Sequence, residues 1–281
     1  MKHLVILLLC ALSLTLNGQV RSAAVSPDDN LNATAWSQTS IEHNLILIQT
    51  YKTAENQLIA ALNDPHWNAL TPDERTQTNA PRKPAVILDV DETVLDNSPF
   101  QSDLIKRHGQ FNEADWGAWC RKAQAQALPG ALNFVALASR LGIDVFYISN
   151  RAKDLDQATI QNLKNQGFPI SGTEQFLGLG TVVPGCESVG TEKGCRRISV
   201  GRTHRVLMQF GDQLGDFMDV LNNTVSARNA QVQPYLNWIG QRWFVLPNPM
   251  YGSWESALIN NNWAASIEQR REQKIDALRD N

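Results

Sequence analysis

Four short apolar runs constrain the fold of this chain more than any other feature. Each is almost continuously apolar, which is typical of a strand that other elements cover on both faces. The runs are Ala85–Leu88, Val145–Ile148, Val206–Phe210 and Trp243–Leu246. Helix-like segments such as 131–141 and 155–166 separate them, and this alternation predicts a parallel sheet with right-handed crossovers. We therefore predict an α/β fold with a Rossmann-like parallel sheet and helices on both faces.

The remaining segments fit one large domain with a buried core. The chain has 281 residues, of which 43% are hydrophobic and 19% charged, a composition typical of globular proteins. Residues 41–62 carry apolar side chains at helical spacing, whereas residues 63–83 hold three prolines and predict a linker. Residues 25–38 are polar and predict loose structure, and residues 254–279 predict a helix with a solvated, charged face.

The first 24 residues have the pattern of a secretory signal peptide. A short basic start precedes an uncharged, leucine-rich stretch at residues 4–16, which is too short to span a bilayer. Small residues at Ser22 and Ala24 are typical of a cleavage site. A buried N-terminal strand and an uncleaved anchor are the alternatives. We predict that residues 1–24 are removed and that the mature domain, residues 25–281, is periplasmic or secreted.

The charge balance gives little support for a nucleic-acid partner. The chain carries 25 basic and 28 acidic residues, a net charge of -3, and no basic block stands out. We therefore expect no binding to nucleic acid and no attachment to a membrane surface through a polybasic patch.

Three cysteines follow the predicted leader. Cys186 and Cys195 flank a glycine-containing segment and could form a disulfide in an oxidising compartment, but the sequence alone does not fix the pairing. Cys120 would then be the unpaired thiol. No pair of cysteines has the spacing of a zinc site with histidine partners.

Polar residues follow three of the four apolar runs directly. Asp89 and Asp91 follow the first run, Ser149 follows the second, and Asp212 follows the third, with Asp216 four residues later. Ligands of open α/β sheets bind outside the carboxyl ends of the strands, so we expect these side chains to converge. Converging carboxylates repel one another unless a cation intervenes, and Mg²⁺ prefers such oxygen ligands and often shares its site with a phosphate.

This convergence predicts phosphoryl chemistry. A carboxylate can attack phosphorus to form an aspartyl-phosphate, while a metal ion neutralises the phosphoryl oxygens. The Ser149 hydroxyl can bind the same oxygens, and Lys193, nineteen residues before Asp212, is the candidate for a further positive charge. Each residue alone has a structural alternative: the aspartates could form turns or cap helices, and Lys193 could be solvated. A calcium loop is disfavoured, because Val94 stands where an EF-hand requires glycine.

Three longer segments resemble the bacterial class C nonspecific acid phosphatases, the lipoprotein e family of the haloacid dehalogenase superfamily. They are ILDVDETVLDNSPF at residues 87–100, FGDQLGDF at 210–217 and LPNPMYGSWE at 246–255. The resemblance extends from about residue 41 to about residue 277. It implies an exported, Mg²⁺-dependent acid phosphatase that hydrolyses small phosphomonoesters, with nucleoside monophosphates as the leading substrates. A homodimer is compatible with the sequence.

The resemblance implies a role for each matching residue. Asp89 is the expected nucleophile, and Asp91 is the expected general acid that later becomes the base activating water. Ser149 and Lys193 are expected to hold the phosphoryl group. The implied Mg²⁺ ligands are Asp89, the backbone carbonyl of Asp91, Asp212 and, through water, Asp216. An acidic pH optimum fits, because Asp91 must carry a proton at the start of the cycle.

A cap is expected to select the substrate. Residues 96–128 predict a small, mostly helical cap inserted after the first strand, and they contain Phe100, Phe111, Trp116 and Trp119. Aromatic side chains beside an anion site can stack on a flat base. The resemblance implies that Trp116 and Tyr251 grip a nucleoside in this way, whereas Phe111 and Trp119 are expected to pack. Packing of the cap against the core is the alternative for all of them.

The chain departs from the family pattern in two places. Cys10 lies inside the leucine-rich stretch and follows Leu9, which is not a small residue, so no lipid anchor is expected. The glycine-rich segment 176–195 has no recognised counterpart, although Lys193 lies near its end. A non-catalytic storage or binding protein on the same scaffold, or a phosphotransferase, remains the alternative function. Dehalogenation is disfavoured because it needs no cation.

Overall fold

A computed structural model describes residues 29–76 and 81–279. The predicted leader, residues 1–24, lies outside the described residues. The strands, in chain order, are β1 (Lys83–Leu88), β2 (Leu95–Asp96), β3 (Gln126–Ala127), β4 (Asp144–Ala152), β5 (Phe176–Leu179), β6 (His204–Gly211) and β7 (Trp243–Val245). Within the described residues, five of them form one parallel sheet in the order β5-β4-β1-β6-β7. The predicted parallel sheet is confirmed, with β1 at its centre.

Helices connect the strands and cover the sheet. They are α1 (Leu31–Thr39), α2 (Ile41–Asn63), α3 (Ser98–Lys106), α4 (Glu113–Arg121), α5 (Ala131–Arg140), α6 (Asp156–Gln166), α7 (Gly194–Thr203), α8 (Val225–Val232), α9 (Ser253–Leu258) and α10 (Ile267–Asp276). Among the described residues, none of these helices has the length and apolar character needed to cross a membrane.

Side chains of β1 alternate between the two faces of the sheet, as the pleat of a strand requires. Val86 and Leu88 belong to a cluster that includes side chains of α2 and α5, whereas Ala85 and Ile87 belong to a second cluster that includes α7. Burying a side chain such as Leu88 contributes about 1.5–3 kcal/mol. The predicted α/β fold with helices on both faces is therefore confirmed.

Helix α2 forms where the apolar pattern predicted a helix, although Ile41 and Leu45 of that pattern are exposed. Ser40 caps its first turn, since the Ser40 hydroxyl accepts a hydrogen bond from the N–H of His43 (3.3 Å). Leu47, Tyr51 and Leu58 are fully buried. The Tyr51 hydroxyl also donates to the carbonyl oxygen of Thr93 (2.8 Å), so this helix holds the loop that follows β1.

The structure differs from the sequence prediction in the segments around these elements. The described part of the predicted linker 63–83 packs into the core, because Ala69 and Leu70 are fully buried. The Ala69 carbonyl accepts a hydrogen bond from the Trp243 indole N–H (2.8 Å). The prolines thus limit regular secondary structure there without preventing burial. In the segment expected to be loose, helix α1 forms and buries Thr34 and Ser37.

Two further elements were predicted wrongly or not at all. The expected C-terminal helix is divided into α9 and α10, and the turn between them includes Asn260 and Asn261 in the left-handed region (φ 50° and 58°). Strand β5 was not predicted. It is a short edge strand in the glycine-rich segment, and it pairs with β4 through contacts such as Ile148 with Leu177.

The segment 96–128 leaves the sheet after β1. Its two ends are joined by the antiparallel pair β2 and β3, in which Leu95 lies opposite Ala127. Helices α3 and α4 lie between them. Their aromatic side chains pack on one another, with the Phe100 ring 5.2 Å from the Trp116 ring and 6.5 Å from the Trp119 ring.

Candidate active site

The carboxyl ends of the central strands bring the predicted site residues together. Asp89 follows β1 immediately, and its N–H donates to the carbonyl oxygen of Phe210 at the end of β6 (2.9 Å). Asp212 follows β6, Ser149 lies near the end of β4, and Lys193 lies just before α7. The residues that the sequence predicted to converge therefore lie at one edge of the sheet.

A tight turn sets the direction of Asp91 after β1. The Val90 carbonyl accepts hydrogen bonds from the N–H groups of Thr93, Val94 and Leu95. Glu92 adopts the left-handed region (φ 55°), which costs a residue other than glycine on the order of 1–3 kcal/mol. Such strain is retained only where surrounding contacts determine the conformation. Here the Glu92 carboxylate accepts hydrogen bonds from the Asn97 N–H (3.1 Å) and the Tyr251 hydroxyl (2.8 Å).

Three carboxylates form an acidic triad, defined here as Asp89, Asp212 and Asp216. One oxygen of each lies within 4.8 Å of the others, so the three could hold a metal ion. Gln213 and Asn248 orient Asp212 by donating side-chain N–H groups to its Oδ2 (2.6 and 2.8 Å). The Gln213 backbone N–H donates to Asp216 Oδ2 (2.8 Å). These amide partners were not predicted, although Asn248 lies in one of the family-like segments.

Lys193 supplies a positive charge to the triad. Its ammonium donates to Asp89 Oδ1, to Asp216 Oδ1 (2.7 Å) and to the Ile148 carbonyl (2.9 Å). The side chain is only 6% exposed, so the pairs are poorly screened by solvent. One ammonium cannot balance three carboxylates.

The electrostatics of the triad favour a further cation. Burial raises the pKa of Asp89 to about 7, against the opposing charge of Lys193 and with Asp216 adding to the rise. Burial likewise raises the pKa of Asp212 well above its usual value, and the charges of Asp216 and Asp89 raise it further. Burial disfavours the charged form of Lys193, but the negative charges of Asp216 and Asp89 outweigh burial and raise its pKa overall. A hard divalent cation would relieve this repulsion, and the oxygen donors suit one.

The carboxylate of Asp91 lies in a different environment from that of Asp89. Its Oδ1 accepts hydrogen bonds from Arg151 Nη2 (2.7 Å) and Asn97 Nδ2 (2.8 Å), and its Oδ2 lies 3.3 Å from the Ser149 hydroxyl. Sequence reasoning missed Arg151. Side chains two residues apart on a strand share a face, so the position of Ser149 could have placed Arg151 on the same face, but it does not identify Asp91 as the partner of Arg151.

Trp116 and Tyr251 both lie near Asp91. The Arg151 guanidinium lies 5.4 Å from the centre of the Trp116 ring, and the Tyr251 hydroxyl binds Glu92. Both aromatic side chains are half-buried, so each has surface left to contact a ligand. Trp116 also packs on Phe100, as the alternative interpretation expected.

Cys186 and Cys195 form a disulfide, with a Cα–Cα distance of 5.6 Å. The loop that it closes contains Lys193. Cys120 is buried and unpaired among the described residues. The pairing that the sequence left open is therefore present.

Comparisons with known proteins match this chain to a family of phosphatases. Residues 19–254 match the family described as HAD superfamily, subfamily IIIB (Acid phosphatase). Two solved structures of the class C acid phosphatase from Bacillus anthracis, one of them a crystal structure with tungstate bound, are 35% identical to this chain. They superpose with TM-scores of 0.77 and 0.76, and the matches cover 90% of this chain and 97% of the Bacillus chains.

Two plant proteins are more distant relatives. "Acid phosphatase 1" from Solanum lycopersicum is 29% identical over 167 residues, covering 59% of this chain and 57% of that protein. "Stem 31 kDa glycoprotein" from Glycine max is 29% identical over 170 residues, covering 59% of this chain and 58% of that protein. This chain thus spans less than three fifths of the length of these curated relatives.

The fold and the site define a member of the HAD superfamily, with carboxylates at the carboxyl end of a central parallel strand. More narrowly, the chain belongs to subfamily IIIB, the acid phosphatases of that superfamily. The family resemblance and the class of enzyme predicted from the sequence are confirmed at this level.

Proposed function

We propose that this protein is an exported, Mg²⁺-dependent acid phosphatase that hydrolyses small phosphomonoesters through an aspartyl-phosphate. The observation that carries the proposal is the buried acidic triad with the Lys193 ammonium beside it. Both features suit a phosphoryl group, which needs cationic partners and a nucleophile at one place. The tungstate bound to the Bacillus relative supports an oxyanion site in this fold, because tungstate is a tetrahedral oxyanion like phosphate.

The first step transfers the phosphoryl group to the protein. A carboxylate oxygen of Asp89 forms a bond to phosphorus while the bond from phosphorus to the leaving oxygen breaks. Asp91 donates its proton to that oxygen, and the alcohol departs. The Ser149 hydroxyl and the Lys193 ammonium bind the phosphoryl oxygens and hold them in position.

The second step releases phosphate. Asp91, now a carboxylate, takes a proton from water, and the water oxygen forms a bond to phosphorus while the bond to Asp89 breaks. Inorganic phosphate leaves, and both aspartates return to their starting states. When bound by Asp89, Asp212, the Asp91 carbonyl and, through water, Asp216, Mg²⁺ would neutralise negative charge on the phosphoryl oxygens.

Substrate selection is assigned to the cap, residues 96–128, and to the loop that carries Tyr251. Trp116 and Tyr251 flank the Asp91 side of the site, where the leaving group of a phosphomonoester must lie. A nucleoside base stacked on these rings would gain about 1–3 kcal/mol. We therefore propose nucleoside monophosphates as the preferred substrates.

Export and processing complete the proposal. Residues 1–24 are proposed to be a cleaved signal peptide, and residues 25–281 the mature enzyme, in the periplasm or outside the cell. The Cys186–Cys195 disulfide supports an oxidising compartment. If the full chain is expressed and the exported protein recovered, mass spectrometry should find a chain that begins near residue 25. A recovered chain that retains residues 1–24 would refute the processing step.

Phosphate release from a nucleoside monophosphate tests the activity. The purified protein is assayed at acidic and neutral pH, with Mg²⁺ and with excess EDTA. We expect turnover with Mg²⁺ that is fastest at acidic pH, lost in EDTA, and lowered by several orders of magnitude in Asp89→Asn. Asp103→Asn, which alters an exposed carboxylate on α3, is the matched control and should keep full activity.

Two results would refute the proposal. Full activity in Asp89→Asn would exclude Asp89 as the nucleophile. No turnover of any phosphomonoester would instead favour a binding protein on this scaffold. Adding an alcohol acceptor separates hydrolysis from transfer. Phosphorylated acceptor as the main product would identify a phosphotransferase instead.

A further inference from the structure

Arg151 has no role in the reaction described above, yet it is one of the most buried charged side chains of the protein. It is 1% exposed and lies at the end of β4. A charge removed from water costs several kcal/mol unless an opposite charge and hydrogen bonds compensate it. Within the described residues, the ion pair of Arg151 is with Asp91 alone.

The guanidinium is fixed from three sides. Its Nε and Nη2 donate to Asp91 Oδ1 (3.0 and 2.7 Å). Its Nη1 lies within hydrogen-bond distance of the Thr159 hydroxyl on α6 (3.3 Å), and its Nη2 also contacts Asn97 Oδ1 (3.2 Å). A rigid planar group with several donors holds a carboxylate in one orientation, which an ammonium on a flexible stem cannot do.

The same network reaches the cap. Asn97 donates to Asp91 Oδ1 (2.8 Å), and its own Oδ1 accepts the indole N–H of Trp119 from α4 (2.8 Å). Trp116, also on α4, places its ring against the Arg151 guanidinium. Core and cap therefore meet at the carboxylate of Asp91 through Arg151 and Asn97.

We propose that Arg151 is the positioning residue for Asp91 and that it fixes the carboxyl group for proton transfer to the leaving oxygen. The inference rests on the proposed function, in which Asp91 is the general acid. A general acid must lie within hydrogen-bond reach of the atom that it protonates, and a displacement of about 1 Å can lower the rate about 100-fold. Asp91 lies in the tight turn that begins at Val90 rather than within a long strand, so its side chain needs an external support.

The leaving group provides a test that a general loss of folding cannot mimic. An alkoxide leaving group needs a proton from Asp91, whereas p-nitrophenolate departs readily without one. The parameter kcat/KM includes only the steps up to departure of the leaving group, so the common second step does not affect it. The measurement is therefore kcat/KM for phosphomonoesters that differ in the acidity of the leaving alcohol.

We expect Arg151→Met to lower kcat/KM for alkyl phosphates about 100-fold and that for p-nitrophenyl phosphate much less. Arg151→Lys keeps the positive charge but loses the planar guanidinium with its several donors. Its loss of kcat/KM should therefore be smaller than that of Arg151→Met. Arg205→Met is the matched control, because the Arg205 guanidinium binds backbone carbonyls at the end of α2 and contacts no site residue. It should leave the dependence on the leaving group unchanged.

A double-mutant cycle guards against variants that fold poorly. If Arg151 acts through Asp91, Arg151→Lys should cause little further loss of kcat/KM in an Asp91→Asn background. Equal losses for all leaving groups, or losses that multiply in the double variant, would overturn the inference. A wild-type protein without activity would overturn both the proposed function and this inference. If the wild type is active but Arg151→Met shows the same dependence on the leaving group, only the inference is overturned.

Discussion

The acidic triad should make the metal-free protein less stable as the pH rises, and Mg²⁺ should reverse the effect. Burial raises the pKa of Asp89 from 3.8 to about 7 in the folded protein, although Lys193 opposes the rise. Because the folded-state pKa is above the unfolded one, the folded protein binds more protons between these values. The contribution of Asp89 to the free energy of unfolding is therefore most favourable below about pH 4 and falls as the pH rises to about 7.

The size of the effect follows from the same shift. Since each pKa unit corresponds to about 1.4 kcal/mol, the rise of the Asp89 pKa to about 7 removes about 4 kcal/mol of unfolding free energy at neutral pH. In a domain of this size, such a loss lowers the melting temperature by about 10 °C. Mg²⁺ at about 100 times its dissociation constant should restore about 2.7 kcal/mol.

Thermal unfolding in EDTA and in Mg²⁺, between pH 4 and pH 8, measures this effect. Other groups also titrate in this range, so the quantity to follow is the difference in melting temperature between wild type and Asp89→Asn. In EDTA we expect this difference to grow with pH in favour of the variant, while Asp103→Asn should follow the wild type. A difference that stays constant across the range, or one that grows in favour of the wild type, would refute the reasoning.

Two further predictions concern a buried ion pair and the cap. Arg197, which is fully buried, donates to the Glu74 carboxylate through Nε and Nη2 and also pairs with Asp219. Because Asp219 remains as a partner, Glu74→Gln should lower the free energy of unfolding by about 2 kcal/mol in denaturant titrations; an unchanged midpoint would contradict this. Trp116→Ala should raise KM for a nucleoside monophosphate about tenfold or more but leave KM for glycerol phosphate nearly unchanged. Equal changes for both substrates would assign Trp116 to packing alone.

The main strands could be predicted because their residues satisfy one simple rule. A central parallel strand is covered on both faces, so it contains a continuous apolar run, as β1, β4 and β6 do. Strand β7 was recognised by the same rule although it lies at the edge of the sheet, because Trp243 and Phe244 are buried. Strand β5 lies at the edge of the sheet and contains Gly178, so its sequence is less typical of a strand. The structure explains that glycine: a Cβ at this position would lie 2.2 Å from Asp156 Oδ1.

The candidate site was predictable where a functional group follows a strand in sequence, as with Asp89 and Asp212. It was not predictable where function depends on a partner that only the sheet order brings near. Arg151 is distant from Asp91 in the chain and becomes its neighbour because β4 pairs with β1, with Tyr147 opposite Leu88. A charged residue within a strand gives no indication of its partner until that register is known.

The central position of β1 explains why two carboxylates only two residues apart acquire different environments. Asp89 faces β6, where Asp212 and Asp216 add negative charge that Lys193 only partly balances. Asp91 faces β4, where the Arg151 guanidinium pairs with it directly. Carboxylates with contrasting surroundings can take different chemical roles in one reaction. The strand order β4-β1-β6 thus places the side of the site that is proposed to bind the metal ion and to carry the nucleophile next to the side that is proposed to transfer the proton.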